Sequence, residues 1–247
     1  MTPTRTTFRH LPALLLACFV LPAWGAAHKP LLPRPQQVNY GAGQLSLRNA
    51  VIRFAGSPSA EDRFAADELA SALSVFAKVP IATGQAEPAG PSILLNRTGD
   101  SAPVALPGEK SGPDSRESYS LKVTPAGAEI RARSSAGLYY GIQTLRQMAE
   151  GAGADAFLPE VEIQDWPSLA YRGFMMDLAH GPLPTEAEIK RQIDFLARWK
   201  GNQYYFYSET NIELQGYPLV GQGARYTQDE VRRIVEYGRQ RHVDVVP

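Results

Sequence analysis

The sequence contains 247 residues, a length that suits one large domain or two ordinary ones. Its 25 Lys and Arg residues balance its 25 Asp and Glu residues, so the formal net charge at pH 7 is zero. This balance gives no electrostatic basis for binding nucleic acid or an anionic membrane. The hydrophobic fraction of 44% is ordinary for a globular protein.

Residues 1–27 have the three parts of a secretory signal peptide, namely a basic start, an apolar run at 11–22 and small residues before the cleavage point. They predict export to the periplasm or the medium, with no membrane contact beyond this signal. A lipoprotein anchor on Cys18 is the less favoured alternative, because Leu16 is large where such cleavage sites carry a small residue. Cys18 is the only cysteine, so ordinary cleavage would leave no thiol for catalysis or metal binding.

Residues 28–150 predict a small α+β domain. The predicted elements are a strand at 44–54, a helix at 60–77, a strand at 92–95, a hairpin at 119–132 and a helix from Ser134 or Ser135 to about Met148. A Gly- and Pro-rich segment at 99–116 is expected to be an exposed loop. This order of elements predicts a sheet with helices on one face.

A Gly- and Ala-rich link at 150–156 predicts a domain boundary, and residues 157–247 then alternate between strand and helix patterns. The predicted elements are strands at 171–177, 203–207 and 243–246, and helices at 185–200 and 227–241, each helix opening on a capping box. Such alternation predicts a parallel sheet or barrel. We expect the first two to three βα units of an incomplete TIM (β/α)8 barrel, whose complete form has eight.

The first strand of this second domain carries two charges beside an apolar core. Arg172 precedes the apolar residues 174–176 and Asp177 follows them. Burying a charge is costly unless it is paired or binds something polar. The Arg172 guanidinium could donate hydrogen bonds to two hydroxyl groups of a sugar. Asp177 lies at the C-terminal end of the strand, where barrel enzymes place their catalytic residues. The alternatives are a structural salt bridge for Arg172 and a loop-capping role for Asp177.

The second strand is rich in aromatic residues. Alternation along a strand places Tyr205 and Tyr207 on one side and Tyr204 and Phe206 on the other, with Glu209 just past the end. Aromatic rings beside a carboxylate suit a sugar site, since sugar faces stack on rings and hydroxyls bond to acids. The alternative is that the tyrosines pack in a core and that Glu209 is solvated.

Several other kinds of site find no support in the sequence. It has no HExxH, phosphate-loop or GxSxG motif. His180 and His242 have no partner at ligand spacing, so we predict neither a metal site nor a cofactor. The acid pairs at 67–68 and 229–230 are explained by a solvated helix face and a helix first turn, so neither is predicted to be catalytic.

Several motifs, taken in order, resemble glycoside hydrolase family 20, the β-N-acetylhexosaminidases. They lie at residues 32–36, 117–121, 134–145 and 171–177, and the run at 134–145 is the most similar to the family. The resemblance covers residues 30–247. It implies a zincin-like accessory domain without zinc, followed by the start of a TIM barrel.

The resemblance also implies roles for individual residues. Arg172 would bind hydroxyls of the terminal N-acetylhexosamine, and Asp177, Tyr207 and Glu209 would line the same pocket. Typical members have His-x-His and then paired aspartates where this chain has Tyr205, Tyr207 and Glu209. This pattern is similar to a divergent branch that resembles hexosaminidase D.

In the family, a catalytic Asp-Glu pair follows the fourth barrel strand, where the aspartate orients the acetamido group of the substrate as nucleophile and the glutamate is the general acid. The sequence reaches the third predicted strand, so no catalytic residue is expected within it and residues 1–247 alone are expected to be inactive. The implied function is a secreted exo-β-N-acetylhexosaminidase, whose partner is a glycan ending in N-acetylglucosamine or N-acetylgalactosamine. The oligomeric state stays open.

Two alternatives stay open, one of them an enzyme and the other from a different class of protein. One is a related glycosidase with the same accessory domain, such as an α-glucuronidase or a family 84 hexosaminidase. The other is a non-catalytic carbohydrate-binding or scaffold protein. An open barrel edge argues against the scaffold, because unpaired parallel strands expose apolar faces and backbone groups.

Overall fold

The computed structural model describes residues 28–84, 90–101, 107–221 and 223–247. The predicted signal peptide at 1–27, including Cys18, lies outside the described residues. The described part contains one seven-stranded sheet and one three-stranded sheet, which define two units. None of its helices has the length and apolar character needed to cross a membrane.

The first unit is built on the larger sheet. Its elements are β1 (Gln37–Ser46), β2 (Val51–Phe54), α1 (Ala60–Ala77), β3 (Ala82–Thr83), β4 (Ser92–Arg97), β5 (Tyr119–Thr124), β6 (Gly127–Ala132), α2 (Ser135–Met148) and β7 (Phe157–Asp165). The strand order is β1-β7-β5-β6-β4-β2-β3. The pairs from β1 to β6 are antiparallel, and those from β6 to β3 are parallel.

The two helices of this unit pack together on one face of the sheet. In β5, Tyr119, Leu121 and Val123 are buried, whereas Ser120 and Lys122 between them are exposed. This alternation is what a strand covered on one side requires. The predicted hairpin and the predicted one-sided arrangement of helices are therefore confirmed.

Two predictions for the first unit need correction. The predicted strand at 44–54 is two strands, because the chain turns between them with Asn49 in the left-handed region at φ 56°. The predicted boundary at 150–156 also moves, because residues 157–165 form β7 and pair with β1 and β5 inside the larger sheet. The second unit therefore begins after Asp165.

The second unit alternates strands and helices, as predicted. Its elements are β8 (Gly173–Asp177), α3 (Glu186–Arg198), β9 (Gln203–Tyr207), α4 (Gln228–Gln240) and β10 (Asp244–Val246). The three strands are parallel in the order β10-β9-β8. Tyr204 and Phe206 are buried beneath the helices, whereas Met175, Tyr205 and Tyr207 are exposed on the opposite face. The predicted sidedness of the aromatic strand is confirmed, and closure into a barrel stays a prediction.

The two helix starts of the second unit differ in their caps. The Thr227 side chain accepts from the Glu230 backbone N–H, and the Glu230 carboxylate accepts from the Thr227 backbone N–H at 2.8 Å. Thr185 accepts from Glu188 in the same way, but the Glu188 carboxylate bonds to Arg191 instead. The capping box predicted for α4 is therefore complete, and the one predicted for α3 is half formed.

We expect Thr227→Ala to lower the free energy of unfolding by about 1–2 kcal/mol, because it removes the two hydrogen bonds of the Thr227 hydroxyl, which accepts from the Glu230 N–H and donates to the Glu230 carboxylate. Thr185→Ala is the matched control and is expected to cost about 0.5–1 kcal/mol, since it removes one bond. Urea denaturation of the two variants checks this difference. A larger loss for Thr185→Ala would contradict it.

A buried charged group joins the two units. Lys200 lies three residues before β9, and its Nζ donates to Asp165 Oδ2 at 2.7 Å and to Tyr119 Oη at 2.9 Å. Burial lowers the pKa of the Lys200 amine, and the negative charge of Asp165 opposes that shift. The last residue of β7 and the first residue of β5 are thus bonded to the second unit.

Candidate functional site at the C-terminal strand ends

Two predicted site residues meet where β8 and β9 end. Asp177 and Tyr207 are direct register partners in this parallel pair. The Leu178 N–H donates to the Tyr207 carbonyl at 2.9 Å, which holds the two strand ends together. In open parallel sheets, ligands bind beyond the carboxyl ends of the strands, so this edge is the candidate functional site.

Asp177 organises the loop that follows β8. Its Oδ1 accepts from the backbone N–H groups of Ala179 at 2.9 Å and His180 at 3.2 Å. Its Oδ2 lies 2.9 Å from Nδ1 of the His180 ring. The hydrogen bond to His180 lowers the pKa of Asp177, and the two backbone bonds act in the same direction. Asp177 therefore caps the loop through one oxygen and holds an imidazole with the other.

Glu209 pairs with the aromatic strand. Tyr207 Oη donates to Glu209 Oε1 at 2.7 Å, and this hydrogen bond to a carboxylate raises the pKa of Tyr207. Glu209 has a φ of 43°. Left-handed backbone is uncommon for residues other than glycine and is found often at functional sites. The sharp turn directs Glu209 back toward the tyrosine that precedes it by two residues.

Asn211 ties the loop after β9 to the loop after β8. Its side-chain amide donates to the Leu178 carbonyl, and its own carbonyl accepts from the Tyr226 N–H at 2.8 Å. The edge is therefore braced from both strand ends and from the segment before α4. No pattern in the sequence singles out Asn211 for this role, since its partners lie far away along the chain.

The structure does not place Arg172 with the other three predicted site residues. Arg172 lies just before β8, at the strand end opposite to Asp177. Its guanidinium donates through Nε to the Lys200 carbonyl at 2.9 Å, through one amino group to the carbonyls of Leu169 and Ala170, and through the other to the Glu117 carboxylate. This placement corrects the expectation that Arg172 shares a sugar pocket with Asp177. The contact between Arg172 and Glu117 is instead the structural salt bridge that the sequence analysis gave as the alternative for Arg172.

The partners of Arg172 form a second junction between the units. Glu117, in the first unit, is 2% exposed, and its Oε1 accepts from the Asn202 side-chain amide at 2.8 Å. Asn202 Oδ1 in turn accepts from the Arg172 backbone N–H at 2.8 Å. Both oxygens of Glu117 are therefore used by residues that flank β8 and β9. Residues 117–121 and 171–177, noticed separately in the sequence, contribute to one contact.

His180 is the site residue that the sequence interpretation missed. The spacing of the histidines excludes a metal site but gives His180 no other role, whereas its position three residues after Asp177 is the signal in the sequence for the contact that forms. Across the described ranges, no group of three or more His, Cys, Asp or Glu side chains could hold a metal ion.

Comparison with known families assigns both units. The family description "Glycosyl hydrolase family 20, domain 2" matches residues 28–166, and "Glycosyl hydrolase family 20, catalytic domain" matches residues 169–247. The first match alone covers more than half of the chain, so the chain belongs to glycosyl hydrolase family 20. The resemblance inferred from the motifs is confirmed, and the chain belongs to a glycoside hydrolase family. The first match ends at residue 166 and the second begins at residue 169. The boundary between the two matches therefore falls just after β7, where the second unit of the structure begins.

Individual relatives agree with this assignment. The chain is 32% identical over 206 residues to a beta-hexosaminidase of Porphyromonas gingivalis, covering 74% of the chain and 25% of that protein. Among solved structures, it is similar to Flavobacterium johnsoniae chitobiase, with a TM-score of 0.75, 27% identity and coverage of 88% of this chain and 34% of that one. It is also similar to Streptomyces plicatus N-acetyl-beta-hexosaminidase, with a TM-score of 0.72, 27% identity and coverage of 90% and 46%. The chain spans 25–33% of the length of the first curated relatives.

Proposed function

We propose that the chain forms the accessory domain and the first barrel strands of an exported exo-β-N-acetylhexosaminidase. This enzyme would remove terminal N-acetylglucosamine or N-acetylgalactosamine from glycans by substrate-assisted retaining hydrolysis. Family membership supports the reaction class. The observation that carries the proposal is the convergence of Asp177, Tyr207 and Glu209 at the C-terminal edge of parallel strands.

The chemistry of this edge suits a sugar. Asp177 and Glu209 supply carboxylate oxygens that accept from hydroxyl groups. Tyr205 and Tyr207 are 39% and 40% exposed on the face away from the helices, so their rings are available for stacking on a pyranose. Both kinds of group lie on the same side of the sheet, which is what a pocket above the strand ends requires.

We expect residues 1–247 on their own not to hydrolyse an aryl N-acetylglucosaminide. The three strands described here include no Asp-Glu pair of the kind that the family places after a fourth strand. We use the term extended protein for the product obtained when translation of the source reading frame continues past Pro247. The extended protein is expected to be active. Cleavage by purified residues 1–247 would contradict the first expectation. A stop codon directly after Pro247 would favour a carbohydrate-binding or scaffold protein.

Within the extended protein, Glu209→Gln and Tyr207→Phe are each expected to lower kcat/KM by about tenfold or more, because the first replaces a charged acceptor oxygen with an amide NH2 and the second removes a hydroxyl group from the sugar pocket. Glu162→Gln is the matched control. This carboxylate lies on the first unit, where it pairs with Lys122 at the surface. An unchanged kcat/KM in Glu209→Gln would remove Glu209 from the proposed site. Steady-state kinetics on the three variants decide between these results.

A further inference from the structure

His180 has a fixed orientation at the candidate site. Asp177 contacts His180 twice. Its Oδ1 accepts from the His180 backbone N–H, and its Oδ2 lies 2.9 Å from Nδ1 of the His180 ring. The side chain is nevertheless 71% exposed. Since Nδ1 faces Asp177, Nε2 is the ring nitrogen that remains for a ligand.

The groups that face His180 come from both strand ends. Asp177 is the last residue of β8, three residues before His180, and Tyr207 and Glu209 lie at the end of β9. The hydrogen bond to Asp177 raises the pKa of His180, and the negative charges of Asp177 and Glu209 act in the same direction. Tyr207 Oη already donates to Glu209.

The proton on His180 changes what the site offers to a sugar. Asp177 and Glu209 are acceptors, and the Tyr207 proton is used within the cluster. A neutral imidazole that donates from Nδ1 to Asp177 has an acceptor at Nε2, whereas a protonated one donates from both nitrogens. Protonation therefore turns Nε2 into a donor.

We propose that His180, oriented by Asp177, determines specificity in this site by donating from Nε2 to an oxygen of the sugar. This inference rests on the proposed function and deepens it. With Asp177 and Glu209 ionised and His180 protonated, the three charges sum to minus one. The site therefore favours an uncharged amino sugar over one that carries a sulfate or carboxylate group. Binding weakens as the pH rises and His180 loses its proton.

The first test is an NMR titration of the histidine resonances in residues 1–247, with His180→Gln used for assignment. We expect His180 to titrate above the ordinary histidine value of about 6.5, and Asp177→Asn to bring it back toward that value. Glu209→Gln is expected to lower it by a smaller amount. An Asp177→Asn variant that leaves the His180 titration unchanged would overturn the proposal.

The second test is the pH dependence of KM in the extended protein. Below the pKa of His180, His180→Gln is expected to raise KM about tenfold, equivalent to about 1.4 kcal/mol, while kcat changes little. The wild-type KM is expected to rise with pH through the His180 titration, and that of His180→Gln to stay flat. His28→Gln is the matched control and is expected to behave as the wild type. A wild-type KM that does not change with pH would overturn the proposal.

A wrong proposed function can be distinguished from a wrong role for His180. If the extended protein hydrolyses nothing, the proposed function is wrong, and the NMR titration is repeated with N-acetylglucosamine present. A shift of the His180 Nε2 resonance in the wild type, lost in Asp177→Asn, then supports the role of His180. No shift in either protein overturns it.

Discussion

Replacing Glu117 by alanine is expected to lower the free energy of unfolding by about 3 kcal/mol or more, because it removes one partner of a buried ion pair. The Glu117 side chain is 1% exposed and that of Arg172 is 22% exposed. Without the carboxylate, the Arg172 guanidinium and the Asn202 amide each lose an acceptor at the junction between the units. Urea denaturation followed by circular dichroism measures the loss.

Glu162→Ala is the matched control for this change. Glu162 also pairs with a cation, Lys122, but the two side chains are 62% and 61% exposed. Exposed pairs contribute about 0–1 kcal/mol, so the control is expected to remain close to the wild type. Equal losses in Glu117→Ala and Glu162→Ala would show that burial of the Glu117 contact does not matter.

Gly173→Ala is expected to cost about 3 kcal/mol or more, because added volume meets backbone that has no room to yield. A Cβ atom at position 173 would lie 1.8 Å from the carbonyl oxygen of Gln203 on the neighbouring strand. Gly173 and Gln203 are register partners, so relief of the overlap requires β8 and β9 to move apart. Thermal unfolding and hydrogen exchange of the β8 amides measure the effect.

Gly56→Ala serves as the control for a change from glycine to alanine. A Cβ atom there would meet nothing within 4 Å. The expected change is within about 0.5 kcal/mol. If Gly173→Ala were as mild as this control, the close approach of β8 to Gln203 would not be a feature of the protein in solution.

Local patterns predicted the parts of the fold that local interactions determine. Alternation identified the hairpin that contains β5 and β6, and the Ser134 cap and apolar spacing identified α2. The strand β7 was harder, because a Gly- and Ala-rich link precedes it and its pairing partners β1 and β5 lie far away in sequence. Sequence spacing cannot show which sheet a strand joins.

The sequence predicted only part of the candidate site, because it locates strand ends but does not show contacts between residues that are far apart in the chain. Asp177, Tyr207 and Glu209 follow directly from strand ends, which the hydrophobic pattern locates. Arg172 differs, because its carboxylate partner lies 55 residues earlier in another unit, and nothing local indicates that partner. The contact of His180 with Asp177 was within reach, since residues three apart after a strand end commonly share a turn.

The junction around Glu117 affects how the two units can be recombined. Glu117 belongs to the first unit, while Arg172 and Asn202, which bond to its two oxygens, belong to the second. A chimera that takes residues 28–166 from a relative therefore needs an acidic side chain at the equivalent of position 117. A donor without one would leave the partly buried Arg172 guanidinium without its carboxylate, and a donor without an acid at position 165 would do the same to the buried Lys200 amine. Compatibility of exchanged units therefore depends on the charges at these two positions as well as on overall identity.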